Sequence, residues 1–279
     1  MTMMNRSFAS WYIIYIHLRN FCYEHLLTMI ITILICTIDE GILKVPHVLM
    51  PQQEGVCYVV SMQWTKEDSL ALVPNCLKER EDVSITYLRG AGLSRNRNNA
   101  LACAKGDVMV IADDDNRYKP EFFDNIRSAY EEHPDADVIT FQAQDLDGHP
   151  LHKYPAPYVT SMEMTFRSHV KTRFNERFGL GSGVFCAGEE QVWMKDAQDE
   201  GWNVMYVPVP IVMTRRDTTG THFLERPQLQ ICKGAVFRYV YGTVDAVWRS
   251  IKEAGWYLVH KGENPFPILL NMIKGIRSL

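Results

Sequence analysis

The sequence predicts an α/β fold, a doubly wound, mainly parallel sheet flanked by helices in a Rossmann-like plan, with a C-terminal helical extension. Three observations carry that reading. Apolar, β-branched runs begin near residues 30, 56, 83 and 108 and are separated by segments long enough for crossovers, the spacing of a parallel sheet. Residues 108–112 are continuously apolar, as in a strand covered on both faces, and run directly into Asp113, Asp114, Asp115 and Asn116. In an open α/β sheet that edge is where ligands bind. From residue 229 onward aromatic, aliphatic and basic residues alternate without strand-like turns.

Taken in order, residues 30–36 form the first strand, ended by Thr37, Ile38 and Asp39. Gly41 and Pro46 keep anything helical in 40–50 short or bent. A second strand spans 56–63 and a third 83–88, with a helix over 69–78 between them in spite of Pro74. Ser94 caps a helix over 95–105 that Gly106 ends. Beyond the acid cluster, Pro120 opens a helix that turns Phe122, Phe123, Ile126 and Tyr130 inward. A strand follows over 137–143, then a turn over 145–148. Periodicity is lost in 149–175, where His152, Lys153, Arg167, His169, Lys171 and Arg173 make a basic segment; a substrate-facing insertion and a solvated excursion fit it equally. Residues 189–200 are helical, with Val192, Trp193 and Ala197 inward, and 204–212 return to strand.

The chain divides into an N-terminal extension over 1–28, an α/β domain over 29–225 and the helical extension over 226–279. In the first segment Arg19, Glu24 and His25 interrupt the apolar residues short of the ~20 that a spanning helix needs. No cleavage signal follows. A start at Met29 leaves a natural first strand, so 1–28 reads as a dispensable or misassigned extension. The net charge of −4 and pI near 6.1 argue against a nucleic-acid partner. Seven scattered cysteines without a Cys-x-x-Cys pair read as small core residues in a reducing, cytoplasmic compartment. The tail's Phe237, Tyr239, Tyr241, Trp248, Trp256 and Tyr257, interleaved with Arg238, Arg249, Lys252 and Lys261, fit packing against the sheet or a peripheral membrane contact.

Two constellations carry chemistry. Asp113-x-Asp115 at a strand end suits a hard divalent ion, Mn²⁺ or Mg²⁺, that offsets charge on a departing diphosphate; an acidic surface turn would use the same residues. Arg97 and Asn98 lie in the first turn of the preceding helix, where free backbone N–H groups favour anions. Gly188-Glu189-Glu190 opens a later helix, behind a loop held open by glycines at 179, 181 and 183. Acids at a helix start complement its dipole, and one of them can also take the proton of an attacking hydroxyl.

The string GLSRNRNNALACAKGDVMVIADDDN over 92–116 is similar to the G-L-S-x-A-R-N…A-x-G-(D/E)…D-x-D-D pattern of family-2 glycosyltransferases with the GT-A fold. Phe185 to Glu190 resembles their later G-(E/G)-E-D motif. This resemblance, covering about residues 29–220, implies inverting transfer of a sugar from a nucleotide-diphosphate-sugar donor to a glycan or lipid-linked acceptor, in cell-surface polysaccharide or glycolipid synthesis. It implies Asp113 and Asp115 at the metal, Asp113 and Asp114 beside the donor, and Arg97 and Asn98 at the donor phosphates or nucleoside. Thr37 and Asp39 would face the base or ribose. Glu190 would be the catalytic base, with Glu189 supporting it, and His222 would approach the metal or diphosphate. The chain departs from the family in three places: 59–65 read V-V-S-M-Q-W-T where relatives carry V-D-D-G-S-x-D, Asn116 replaces a frequent acid, and Thr214 stands where many place a histidine.

Other classes fit less well. A nicotinamide dehydrogenase needs G-x-G-x-x-G, which is absent. A sugar-phosphate nucleotidyltransferase places a glycine-rich basic loop after its first strand, where this chain offers Gly41 and Lys44. A nucleotide-sugar-binding scaffold has no need of Asp113, Asp115 and Glu190 together.

Overall fold

In the computed structural model, residues 29–154, 159–216 and 219–279 are described. The expectation for residues 1–28 lies outside them. The strands are β1 (Ile31–Ile38), β2 (Val56–Trp64), β3 (Val83–Arg89), β4 (Val108–Asp113), β5 (Arg117–Tyr118), β6 (Val138–Asp145), β7 (Met164–Arg167) and β8 (Val204–Thr214). The helices are α1 (Asn75–Lys78), α2 (Leu93–Cys103), α3 (Phe122–Glu132), α4 (Glu189–Asp199), α5 (Pro227–Lys261) and α6 (Pro265–Ser278), with 3-10 turns between several of them.

The strands form one sheet in the order β3-β2-β1-β4-β7-β6-β8-β5. β1 pairs in parallel with both β2 and β4, β2 with β3, and β6 with β8. β7 lies antiparallel between β4 and β6, and β5 runs antiparallel to β8. The doubly wound character follows from alternation. Ile31, Ile33 and Ile35 of β1 bury into a cluster with Val60, Val110, Phe122 and Ile126. Leu34 and Cys36 bury into the opposite one, with Ala100 of α2 and Trp193 and Ala197 of α4. Both faces are covered, which is why these strands read as unbroken apolar runs.

Four local expectations are corrected. Residues 69–78 do not form one helix: a 3-10 turn over Glu67–Leu72 stops before Pro74, and α1 starts after it, because proline disfavours helical geometry in the residue before it. The basic segment 149–175 contains β7, whose Thr165 is buried and bonds Tyr130 Oη and Ile139 O, each at 3.0 Å. Ser94 does not cap α2. That helix begins one residue earlier, behind Gly92 at φ 128°. The tail packs on α4 rather than on the sheet, through Val236, Ala235 and Cys232 against Val192.

α5 breaks at Gly242, which adopts φ 77° and ψ 173°, so it has two arms. α6 crosses the first arm at backbone contact. A Cβ on Gly234 would lie 2.0 Å from Met272 O, and one on Gly275 1.8 Å from Ile231 O. Nothing larger than glycine fits at that crossing.

Candidate active site

The sheet brings the ends of β1, β2 and β4 to one edge, and α2 and α4 start beside them. Buried amides and hydroxyls join these ends. Asn96 of α2 donates to Thr37 O and Ser61 O, both at 3.0 Å, and accepts from Ser61 Oγ at 2.6 Å. Gln63 donates to Gly92 O at 3.0 Å. Each bond satisfies a polar group that water does not reach, so the start of α2 is fixed against the sheet edge. Asn96 was not singled out from sequence, and Ser61 and Gln63 stood out only as part of the 59–65 departure; they are polar residues inside apolar or helical spacing, and only the fold gives them partners.

The first turn of α2 faces protein rather than solvent. Leu93 N donates to Leu180 O at 2.8 Å, and Ser94 Oγ donates to Phe178 O at 2.6 Å. The expected open anion site at this helix start is therefore occupied by the 178–181 loop. Asn98 likewise points away from the crevice: it bonds Phe174 N, Phe174 O and Glu176 Oε1 at 2.9, 2.9 and 3.2 Å.

Arg97 is the centre of the arrangement. It is 1% exposed. Its Nη1 donates to Glu189 Oε1 at 3.1 Å and Glu190 Oε1 at 3.4 Å, and its Nη2 donates to Asp113 Oδ1 at 3.3 Å and Ser161 Oγ at 2.8 Å. The guanidinium also lies 5.3 Å from the Phe174 ring centroid. Burial works against its charge, but Asp113, Glu190 and Glu189 outweigh burial and raise its pKa. The acid cluster at the end of β4 and the acid pair at the start of α4 thus share one cation.

The carboxylates differ in setting. Burial, then Glu189 beside it, pushes Glu190 up to about 8, against the pull of Arg97. Burial, then Asp113 and Asp114, raises Asp115, with Lys44 opposing. Asp114 accepts from Thr37 Oγ1 at 2.7 Å and faces Lys44 Nζ at 3.5 Å, so Thr37 does reach the acid cluster. Asn116, fully buried, accepts from Asp113 N at 2.8 Å and holds the turn that presents the acids. The family's acid at this position is replaced here by a residue with a structural task.

Asp39 is positioned differently from expectation. It adopts φ 47°, the left-handed region, without being glycine, a conformation that carries strain. Its carboxylate accepts from Thr65 N, Thr65 Oγ1 and Ser69 Oγ at 2.8, 2.6 and 2.7 Å. The Thr65 bonds, side chain first, hold it down at about 2. Asp39 therefore fastens the 65–69 turn, which begins where the 59–65 segment ends. His222 Nδ1 lies 2.8 Å from Glu225 Oε2. Asp113, Asp115 and His222 do not form a group with ligand atoms within 4.8 Å of one another; among the described residues Asp145, Asp147 and His149 do. Of these, Asp145 already accepts from Arg216 Nη2 at 2.7 Å and from the backbone of Asp147 and His149, so that trio is a braced turn.

The donor set at 113–115 fits a hard divalent ion. Three consecutive carboxylates follow one strand, without three of their ligand atoms lying within 4.8 Å of one another; burial, then Asp113 and Asp114, raises Asp115, and Lys44 beside Asp114 is largely exposed. Oxygen-rich, under-neutralised sites of this kind take Mn²⁺ or Mg²⁺.

No curated protein matches the chain. A sequence model described as Glycosyl transferase family 2 matches residues 65–199, from the turn that Asp39 fastens to the end of α4. Among solved structures, S. aureus TarS 1-349 superposes with a TM-score of 0.57 at 14% identity over 90% of this chain and 92% of that one. The same protein in complex with UDP-GlcNAc gives 0.54 at 13% identity, with the same coverage. The mannosyltransferase PcManGT from Pyrobaculum calidifontis, in complex with GDP-Man and Mn²⁺, gives 0.54 at 11% identity over 89% of this chain and 86% of that one. The matched segment contains both the 92–116 string and the Gly188-Glu189-Glu190 helix start, on the fold those structures share: the chain is a glycosyltransferase of the GT-A fold whose residues 65–199 match glycosyl transferase family 2.

Proposed function

We propose that the protein moves a glycosyl group from a nucleotide-diphosphate-sugar donor to an acceptor hydroxyl, with inversion and with the help of a divalent metal, in the synthesis of cell-surface polysaccharide or glycolipid at the cytoplasmic side of a membrane. The observation that carries this reading is the buried guanidinium of Arg97, which meets both Asp113 and Glu190, at 3.3 and 3.4 Å. A donor-side acid and a base thereby share one rigid site, the arrangement that one-step displacement requires.

Asp113 and Asp115 would hold the Mn²⁺ or Mg²⁺, which when bound supplies positive charge against a departing diphosphate. Thr37 and Asp114 form the wall beside it. Glu190 accepts the proton of the acceptor hydroxyl as that oxygen bonds to the sugar's anomeric carbon; the bond from that carbon to the diphosphate breaks, and nucleotide diphosphate leaves. A carboxylate held up to about 8 by burial and Glu189 is a stronger base than an exposed one and is matched to a near-neutral working pH. Arg97 orients Glu189 and Glu190 and offsets their mutual repulsion. UDP-sugars and GDP-sugars are the first donors to try, because the solved neighbours hold UDP-GlcNAc and GDP-Man.

The test is release of nucleotide diphosphate from a panel of such donors, with and without Mn²⁺ or Mg²⁺, in wild type, Asp115→Ala and Glu190→Gln. Glu190→Gln should bind donor and fail to transfer, and Asp115→Ala should lose the metal-dependent part of donor binding. Unchanged turnover in both variants would overturn the assignment. An inverted anomeric proton signal in the product checks the stereochemistry.

A further inference from the structure

The C-terminal helices are apolar on two opposite sides, and one side packs on protein while the other faces outward. Along the second arm of α5, Ala246, Ser250 and Ala254 recur every fourth residue and are buried. On the other side Val244, Trp248, Ile251, Leu258 and Val259 follow helical spacing and are exposed, Val244 by 84%, Trp248 by 56% and Val259 by 78%. α6 repeats the pattern. Ile268, Met272 and Ile276 are buried, while Phe266 and Leu270 are 71% and 62% exposed. A soluble surface helix carries polar residues on its outer side, and contiguous outward apolar stripes mark an interaction surface.

Charge identifies the partner. Residues 227–279 hold seven Lys/Arg against three Asp/Glu, a surplus of four in a chain whose net charge is −4. Arg249, Lys252, Lys261, Lys274 and Arg277 take part in none of the ion pairs among the described residues. Two of these cations border the stripe: the Arg249 guanidinium lies 3.5 Å from the Tyr241 ring centroid and Lys252 Nζ 5.2 Å from that of Trp248. Outward Trp, Phe and Leu with Lys and Arg beside them suit the boundary between acyl chains and anionic headgroups. A second copy of the chain suits it less, since pairing of like surfaces would set these unpaired cations against their own counterparts. No helix of the described residues is long and apolar enough to cross a membrane.

We infer that the outward stripes of the second arm of α5 and of α6 form a docking face for an anionic lipid surface. The first arm of α5 is fixed to α4 by Tyr239 Oη donating to Asp196 Oδ1 at 2.8 Å and by Val236 beside Gly188. A docked hairpin would therefore hold the helix that carries Glu189 and Glu190 next to the lipid. The inference stands on α5 and α6 alone, and its failure leaves the transferase reading untouched.

The experiment is co-sedimentation of the full chain with vesicles of phosphatidylcholine, alone or mixed with phosphatidylglycerol, at low and high salt. Wild type should bind the mixed vesicles, release at high salt and ignore pure phosphatidylcholine. Trp248→Ser combined with Val259→Ser should weaken binding about tenfold or more, and Lys252→Gln or Arg277→Gln about fivefold each. Both sets should keep wild-type melting temperature and wild-type release of nucleotide diphosphate with a soluble acceptor. Wild type that ignores the mixed vesicles, or double-serine protein that binds as tightly as wild type, would overturn the inference. So would a dimer in light scattering that the serine substitutions disperse without any vesicle binding.

Discussion

Arg97→Met removes the one buried cation that three carboxylates share while keeping a stem to lie against Phe174. Arg97 is 1% exposed and donates to Asp113, Glu189 and Glu190 at 3.1 to 3.4 Å. Removing one partner of a buried ion pair costs about 3–5 kcal/mol, because the other charge is left without compensation. For a chain of this size each kcal/mol lowers the melting temperature by roughly 2–4 °C, so the variant should melt about 6–20 °C below wild type at pH 7.5. The cost is repulsion among carboxylates, and acid relieves it. Each proton the variant retains beyond wild type changes the gap by ~1.4 kcal/mol per pH unit, so the gap should narrow clearly at pH 5. Arg97→Lys keeps the charge without the planar fork and should fall between the two. Thermal melts by circular dichroism at both pH values decide it. A loss below ~1 kcal/mol, or a gap of the same size at both pH values, would refute the account of Arg97 as shared counter-ion.

Three further outcomes follow from the same site. Asp115→Asn should lower metal-dependent transfer by about 100-fold or more while leaving the melting temperature equal to or above wild type, since burial first, and then Asp113 and Asp114, disfavour its charge; calorimetry with and without Mn²⁺ reads both. Glu190, raised from 4.5 to about 8, must lose its proton to act, so transfer should climb with pH towards that value, and Glu190→Gln should leave a flat residue lower by ~10²–10⁴. The stability sign is opposite: the folded state keeps a proton that the unfolded chain releases above 4.5, so this contribution is full below 4.5 and is lost as pH rises through about 8. Melts of Glu190→Gln should lack that decline. Gly188→Ala should cost ~1–3 kcal/mol and reduce transfer, because Gly188 sits at φ 93° and a Cβ would come 2.2 Å from Val236 Cγ2; unchanged melting and kinetics would show that the start of α4 can shift freely.

The elements that read well from sequence are those whose burial leaves a periodic trace. Residues of β1 and β4 are apolar on both faces, so the runs at 31–38 and 108–113 stand out, and Trp193 and Ala197 recur at helical spacing because α4 covers the sheet, while Val192 beside them meets α5. β7 escaped for the opposite reason: its four residues include the buried Thr165, satisfied by Tyr130 and Ile139 from distant segments. In the tail, apolar residues at helical spacing do pack at 229–236, but Val244, Trp248 and Val259 obey the same spacing and face outward. Periodicity establishes that a helix has an apolar side. It does not say whether protein lies against it.

The site divides along a similar line. Asp113, Asp115, Glu189 and Glu190 stand out in the sequence because local grammar marks them, a buried strand running into acids and a glycine opening a helix with acids, and the structure brings Asp113, Glu189 and Glu190 to one guanidinium. The partners of Arg97, Asn98 and Asp39 were not, because each choice is settled by residues 26 to 93 positions away, namely Thr65 for Asp39, Phe174 for Asn98 and Glu190 for Arg97. A positive residue beside a run of aspartates reads equally as a phosphate ligand or as a counter-ion, and burial discriminates between them. A guanidinium closed off from water and already meeting three carboxylates has little left to offer a diphosphate. On the proposed reading, charge compensation at the donor falls to the ion that Asp113 and Asp115 would hold, and metal dependence would follow from where Arg97 points.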